Sequence, residues 1–135
     1  MWERKKRVTP QKRIDSLIGA GTTVEGDVAF TGGLRIDGTI RGRVVTVDNQ
    51  AATLIVSEQA RIDGEVRVSH VVINGAVNGP VIANNYLELQ AKARVNGDVT
   101  YRTLEMHVGA IVQDKLMHAE QESALVVELK RATAE

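Results

Sequence analysis

The sequence predicts an all-β protein whose residues 14–118 form a single-domain three-sided β-helix (β-solenoid), a rod of stacked coils. Three observations favour this fold. A short glycine cassette recurs along the chain, and β-branched residues dominate the apolar composition. Five of the cassette glycines, Gly26, Gly42, Gly64, Gly79 and Gly97, follow one another at intervals of 15 to 22 residues. A repeat of this kind cannot bury its apolar face alone and must stack on copies of itself.

The cassettes share one pattern, in which Val or Ile lies two residues before and two residues after a glycine. They are Val24-Glu-Gly26-Asp-Val28, Ile36-Asp-Gly38-Thr-Ile40, Ile40-Arg-Gly42-Arg-Val44, Ile62-Asp-Gly64-Glu-Val66, Ile73-Asn-Gly75-Ala-Val77, Val77-Asn-Gly79-Pro-Val81 and Val95-Asn-Gly97-Asp-Val99. Apolar residues alternate locally with period two, which predicts strands of about 4–6 residues. The glycines are predicted between strands, where a coil turns a corner or neighbouring turns approach closely.

One glycine interval suits one turn of three short strands, so about six turns fit in residues 14–118. At about 4.8 Å per stacked strand, the rod would be about 30 Å long. Uneven intervals predict loops of varying length, and Val47–Thr53 is the segment expected to leave the coil furthest. The isolated pairs Gly19-Ala20-Gly21 and Gly32-Gly33 are predicted as turns.

The composition agrees with a narrow aliphatic core. Val and Ile together number 28, against four aromatic residues. The absence of Cys excludes disulfides and thiolate metal sites. No apolar run approaches the roughly 20 residues that cross a bilayer, and no secretory signal follows the first charges, so we expect a cytoplasmic protein.

A net charge of zero conceals an asymmetry. Residues 1–13 hold six Lys or Arg and one Glu, and the remainder holds 11 basic and 16 acidic residues. We predict that residues 1–13 form a flexible basic arm. Residues 119–135 lack the cassette glycines and are predicted to be a disordered tail or a short helix, which could cap the end of the solenoid.

The basic arm is the segment that most resembles a functional site. Trp favours membrane interfaces, and each basic residue near an anionic leaflet contributes about 1 kcal/mol. The predicted membrane-binding residues are Met1, Trp2, Arg4, Lys5, Lys6 and Arg7. We do not predict a nucleic-acid partner; a nucleic-acid-binding arm and a solvated tail without a partner are the alternatives.

Nothing in the sequence favours an enzyme, a cofactor site or a metal site. No phosphate-binding G-x-x-x-x-G-K-[ST] cassette supports nucleotide-driven assembly. His70, His107 and His118 form no local ligand pair, and alternation places His107 on a strand opposite Met106. The Asx residues before the cassette glycines (Asp37, Asp63, Asn74, Asn78 and Asn96) share one slot, which favours a stacked ladder with turn chemistry over acid–base or calcium chemistry.

Two stretches resemble the opening of the bactofilin family, the bacterial polymer-forming cytoskeletal proteins. They are Ile14-Asp-Ser-Leu-Ile-Gly19-x-Gly21-Thr-x-Val24-x-Gly26 and Phe30-x-Gly-Gly-Leu-Arg-Ile-Asp-Gly38-x-Ile40-x-Gly42. The likeness continues through Ala93-Arg-Val-Asn-Gly97 and the closing Gly109-Ala-x-Val112-x-x-Lys-Leu116, and it covers about residues 14–118.

The resemblance implies a right-handed β-helix that assembles end to end into nucleotide-independent filaments. It also implies association with the cytoplasmic face of the inner membrane, and partners among the peptidoglycan synthases or hydrolases that shape the cell. Some family members carry an N-terminal membrane-targeting peptide with an aromatic residue at position two and basic residues after it. Trp2 and the run from Arg4 to Arg7 resemble that peptide, although Glu3 and the denser basic run depart from it.

The sequence positions near the two ends of the rod give a candidate polymer interface. An end turn exposes strand edges and a slice of core, and stacking on another copy buries both. The candidate residues are Ile14, Leu17, Ile18, Val108, Ile111, Val112 and Leu116. Two other readings stay open: a β-helix adaptor that does not polymerise, and a trimeric transferase of the hexapeptide type.

Overall fold

The computed structural model describes residues 14–47 and 51–119, and all regular structure in those residues is β-strand. The predicted arm and the tail beyond Ala119 lie outside the described residues. The fifteen strands that the described residues form are β1 (Ser16–Ile18), β2 (Thr23–Glu25), β3 (Val28–Phe30), β4 (Gly32–Ile36), β5 (Thr39–Arg41), β6 (Val44–Thr46), β7 (Ala52–Val56), β8 (Arg61–Asp63), β9 (Val66–Ile73), β10 (Ala76–Asn78), β11 (Val81–Leu89), β12 (Arg94–Asn96), β13 (Val99–Met106), β14 (Ile111–Val112) and β15 (Leu116–His118).

The strands stack in parallel register on three faces of a coil. The first face contains β1, β4, β7 and the C-terminal parts of β9, β11 and β13. The second face contains β2, β5, β8, β10, β12 and β14. The third face contains β3, β6, the N-terminal parts of β9, β11 and β13, and β15. Each face therefore has six rungs, and the predicted solenoid of about six turns is confirmed.

We number the turns one to six along the chain, each with one strand on each face. Turn one holds β1 to β3, and turn six holds the end of β13 with β14 and β15. The long strands β9, β11 and β13 pass from the third face of one turn to the first face of the next. Each of these turns therefore continues directly into the next, and the turns stack along one axis.

Aliphatic side chains at equivalent positions stack into ladders that fill the interior. On the second face one ladder runs through Ile40, Ile62, Val77 and Val95, all of which are fully buried. β-Branched side chains suit this arrangement because their restricted χ1 matches a pleated surface that is packed on one side. The ladders therefore explain why the chain is rich in Val and Ile.

A glycine column explains the recurring cassette. Gly42, Gly64, Gly79 and Gly97 lie at the corner between the second and third faces, each above the glycine of the previous turn. A Cβ atom added at any of the four would overlap the carbonyl oxygen of the glycine beneath it. Only a residue without a side chain lets the turns approach this closely.

Three local expectations differ from the structure. The turn predicted at Gly32 and Gly33 is wrong: the two residues open β4, and the Gly33 amide donates to Asp15 Oδ2 at 3.0 Å. The excursion predicted over Val47–Thr53 is shorter, because β7 already begins at Ala52, and residues 48–50 lie outside the described ranges. His107 follows the end of β13 and does not lie on a strand.

Candidate assembly surfaces at the ends of the solenoid

The core ladders reach both ends of the rod without a closing layer among the described residues. In turn one, Ile18, Val24 and Val28 pack against the core but are only partly buried. Their register partners one turn further in are Ile36, Ile40 and Val44, and all three are fully buried. The difference arises because no second rung covers the outer side of turn one within the described residues.

Turn six shows the same loss of cover. Leu116 extends the third-face ladder above Val99, and Met106 extends the first-face ladder above Leu89. Val99 and Leu89 are fully buried, whereas Leu116 and Met106 are each 42% exposed. Both ends of the rod therefore present apolar ladder residues to the outside.

The backbone at each end is also half paired. Among the described strands, β1, β2 and β3 each pair with one strand of turn two, and β14 and β15 each pair with one strand of turn five. Within the described residues these strands have no neighbouring strand on their outer edges, and such edges are templates for pairing with another chain. Apolar ladders and strand edges thus coincide at the same two surfaces.

The predicted interface residues divide into two sets. Ile18, Val112 and Leu116 belong to the inward ladders, since their register partners are core residues. Leu17 and Ile111 face outward, because their partners are the exposed Arg35 and Arg94.

Two further predicted residues lie beside the end strands. Ile14 precedes β1 and is 39% exposed, and Val108 lies in the turn after β13 and is 96% exposed. Neither belongs to a ladder rung, although both are at the ends as predicted.

Sequence reasoning missed four ladder residues at the ends: Val24, Val28, Leu104 and Met106. Each lies one rung beyond a fully buried residue and is itself incompletely covered. The signal that could have found them is the one-turn register, because a cassette aliphatic with a partner on only one side must lie at an end.

Turn one is tied to turn two by charged side chains. Arg41 donates to Glu25 Oε2 at 2.8 Å. Arg43 donates its backbone amide to Asp27 Oδ1 at 2.8 Å and its guanidinium to Oδ2 at 3.0 Å. The backbone hydrogen bond from Arg43, followed by the guanidinium, lowers the pKa of the exposed Asp27 carboxyl. The end turn is therefore fixed in register.

Middle turns carry a polar ladder on the second face. Asn78 donates to Asp63 Oδ1 at 2.7 Å, and Asn96 donates to Asn78 Oδ1 at 2.8 Å. The hydrogen bond from Asn78 lowers the pKa of Asp63. The predicted Asx ladder is confirmed for these three residues.

The other two Asx residues do not share that slot. Asp37 lies at the corner between the first and second faces, where it pairs with Arg35, and Asn74 accepts the Lys92 amide at 2.9 Å. The single slot predicted for all five is therefore wrong, because cassettes occur at two different corners of the coil.

The predicted membrane-binding residues of the arm lie outside the described residues. Within residues 14–47 and 51–119 there is no helix long and apolar enough to cross a membrane.

Residues 16–116 match the Bactofilin family, described as polymer-forming cytoskeletal. A similar protein is "Bactofilin BacO" of Myxococcus xanthus (strain DK1622), which is 27% identical over 101 residues, 71% of this chain and 77% of that protein. No solved structure matches the chain significantly. The family match covers β1 to β14 and the first residue of β15, and the chain therefore belongs to the bactofilin family of polymer-forming cytoskeletal proteins.

Proposed function

We propose that this chain assembles end to end into filaments that continue the solenoid and need no nucleotide. The observation that carries the proposal is the pair of uncovered core ladders, which end at Leu116 and Met106 on one side and at Val24 and Val28 on the other. Docking one end turn on another would bury these side chains and pair the free strand edges together. No chemical step is required, because the joint repeats interactions that already hold adjacent turns.

The residues of the end turns suit assembly by their chemistry. Fully burying a Val, Leu or Met side chain contributes about 1.5–3 kcal/mol, and the exposed ladder residues would gain a part of that at each joint. Partly satisfied strand edges would at the same time gain backbone hydrogen bonds.

The filament would lie on the cytoplasmic face of the inner membrane through the N-terminal arm. Met1 and Trp2 would enter the interface, and Arg4, Lys5, Lys6 and Arg7 would face anionic headgroups. One arm binds weakly, but a filament displays one arm per chain, and multivalency then raises the overall affinity. The resemblance to the family supports peptidoglycan synthases or hydrolases as the partners that such a filament would organise.

Filament assembly is tested by ultracentrifugation and negative-stain electron microscopy of the purified chain without nucleotide, at moderate salt. We expect pelleted, unbranched filaments. Discrete trimers would favour a transferase-like assembly, and stable monomers would favour an adaptor; either result contradicts the proposal.

Membrane binding is tested by co-sedimentation with anionic liposomes. Replacing Trp2 with Ala, or Arg4 to Arg7 with acids, should abolish co-sedimentation while filaments persist in the microscope. Binding that ignores both changes would refute the role of the arm. Binding to DNA as tight as binding to anionic lipid, at physiological salt, would favour a nucleic-acid partner instead.

A further inference from the structure

We propose that Glu88, Glu105 and His107 form a binding site for one Zn²⁺ ion on the outer surface of turns five and six. The three side chains come from two adjacent rungs of the first face: Glu88 lies in β11, Glu105 lies in β13, and His107 follows β13. Their candidate ligand atoms all lie within 4.8 Å of one another. The inference is independent of filament assembly.

Two of the three separations match those of neighbouring zinc ligands, and the ligand atoms of the two carboxylates lie within 4.8 Å of each other. His107 Nε2 lies 3.1 Å from Glu88 Oε2 and 3.3 Å from Glu105 Oε2. Zinc bonds to nitrogen and oxygen are about 2.0–2.1 Å long, so adjacent ligand atoms of a tetrahedral site lie about 3.3 Å apart. An ion can therefore be held by one atom from each side chain with little movement of the backbone.

The negative charges of Glu88 and Glu105 favour a bound cation. Glu88 and Glu105 are direct register partners on neighbouring strands, and like charges directly opposite destabilise a sheet. Between turns one and two, by contrast, two acids face basic partners: Glu25 faces Arg41 and Asp27 faces Arg43. At Glu88 the acid faces a second acid, with an imidazole nitrogen in contact with both.

Neighbouring side chains orient the two carboxylates. The Tyr86 hydroxyl donates to Glu105 Oε1 at 2.6 Å, which leaves Oε2 turned towards His107. Gln90 Nε2 donates to Glu88 Oε2 at 3.2 Å. Such outer hydrogen bonds fix the orientation of metal ligands.

The ligand types favour zinc over the abundant hard cations. An imidazole with two carboxylates is a set that Zn²⁺ accepts, whereas Ca²⁺ needs six to eight oxygen ligands and Mg²⁺ keeps several waters. Three protein ligands leave the fourth position of a tetrahedral site to water. The ion would join turn six to turn five and so stabilise the exposed end of the rod.

The test is equilibrium dialysis of the chelator-treated full chain against Zn²⁺, with bound metal measured by mass spectrometry. We expect one saturable site per chain that excess Mg²⁺ does not displace. Glu88→Gln and His107→Gln should each weaken binding at least about tenfold, and Tyr86→Phe by about tenfold through loss of the orienting hydrogen bond.

The matched controls are Glu58→Gln and His118→Gln, which change the same residue types at positions outside the cluster. They should bind zinc as the parent chain does. Glu88 and Tyr86 are half-buried, His107 is exposed, and none of the three belongs to the core, so we expect the variants to fold, which far-UV circular dichroism verifies. Absence of a saturable site would overturn the proposal, as would equal affinity in the cluster variants and the controls. Filaments are scored separately by microscopy, so the two proposals fail independently.

Discussion

The middle and the ends of the solenoid contain the same types of aliphatic side chain, but these side chains differ in how far they are buried. Ile62 and Val77, in the middle of a ladder, are fully buried, whereas Leu116 at the end of another ladder is 42% exposed. Nothing in the side chains distinguishes them, since all three are aliphatic. The difference is the presence or absence of a neighbouring rung. An end turn of a solenoid therefore exposes a surface on which another turn can stack, unless a capping segment covers it.

The polar contacts between turns also differ along the rod. Turn one is held by ion pairs, the middle turns by the Asp63–Asn78–Asn96 ladder together with the Lys92–Glu58 ion pair, and turn six by contacts around Glu105 and His107. The stacked Asn side chains thus belong to the middle turns, whereas ion pairs occur both in the middle and at the ends.

The largest effect is expected from Leu116→Arg. The change places a charge in a ladder that would continue across a joint, where a desolvated and unpaired charge is costly. We expect a folded β-rich monomer and no filaments by negative-stain microscopy. Ile111→Arg is the matched control, because Ile111 is also 42% exposed but faces outward beside Arg94. Filament loss in both variants, or in neither, would contradict the division into inward and outward residues.

The second prediction compares Leu54→Ala with Leu104→Ala. Leu54 is fully buried in a middle rung, and its truncation should lower the free energy of unfolding by about 2–5 kcal/mol. Leu104 lies in the last rung of the same face and is only partly buried, so its truncation should lower the free energy of unfolding by less. Urea unfolding in the Leu116→Arg background avoids interference from assembly. An equal loss at both positions would mean that turn six is covered after all.

A third, smaller effect is expected from Gly75→Ala. A Cβ atom at Gly75 would overlap the Ser57 carbonyl oxygen and lie 2.7 Å from that of Ala60, so the turns must separate. Overpacking of this kind costs about 1–3 kcal/mol. Gly19→Ala is the control in turn one, where no atom lies within 4 Å of the added carbon. Thermal unfolding of both variants in the same background tests the difference, and a destabilised Gly19→Ala would contradict it.

The smallest effect concerns Asp27. Its pKa is lowered from 3.8 by Arg43, so the contact stabilises turn one above pH 3.8 and is lost as pH falls through the lowered value. Asp27→Asn should therefore speed amide exchange in turn one at neutral pH, with little difference from the parent chain at low pH. Asp114→Asn, at the other end, should leave turn one unchanged. A difference that persists at low pH would show that the charge is not responsible.

The repeat could be predicted from the sequence, but the orientation of the residues at the two ends could not. Six turns follow from the cassettes because stacked corners exclude a Cβ atom, which makes glycine obligatory at Gly42 and Gly64. Alternation alone could not show that Leu17 and Ile111 face outward, since that depends on register with the adjacent turn. Gly32 and Gly33 were misassigned because their strand pairing comes from β7, twenty residues away.

The cluster around His107 was missed for a related reason. Its partner Glu88 lies one turn away, and the interval of one turn varies from 15 to 22 residues along this chain. Only the register of β11 with β13 shows that Glu88 faces Glu105. The handedness of the coil stays a prediction from the family resemblance.

The central claim is that the filament continues the stack of turns, and cryo-electron microscopy of the filaments tests it most directly. We expect a continuous layer line at about 4.8 Å. We also expect an axial rise of about 30 Å per chain, which corresponds to six stacked turns. A rise that is unrelated to six rungs, or strands that do not stack along the filament axis, would show that the chains associate through their sides and would contradict the account.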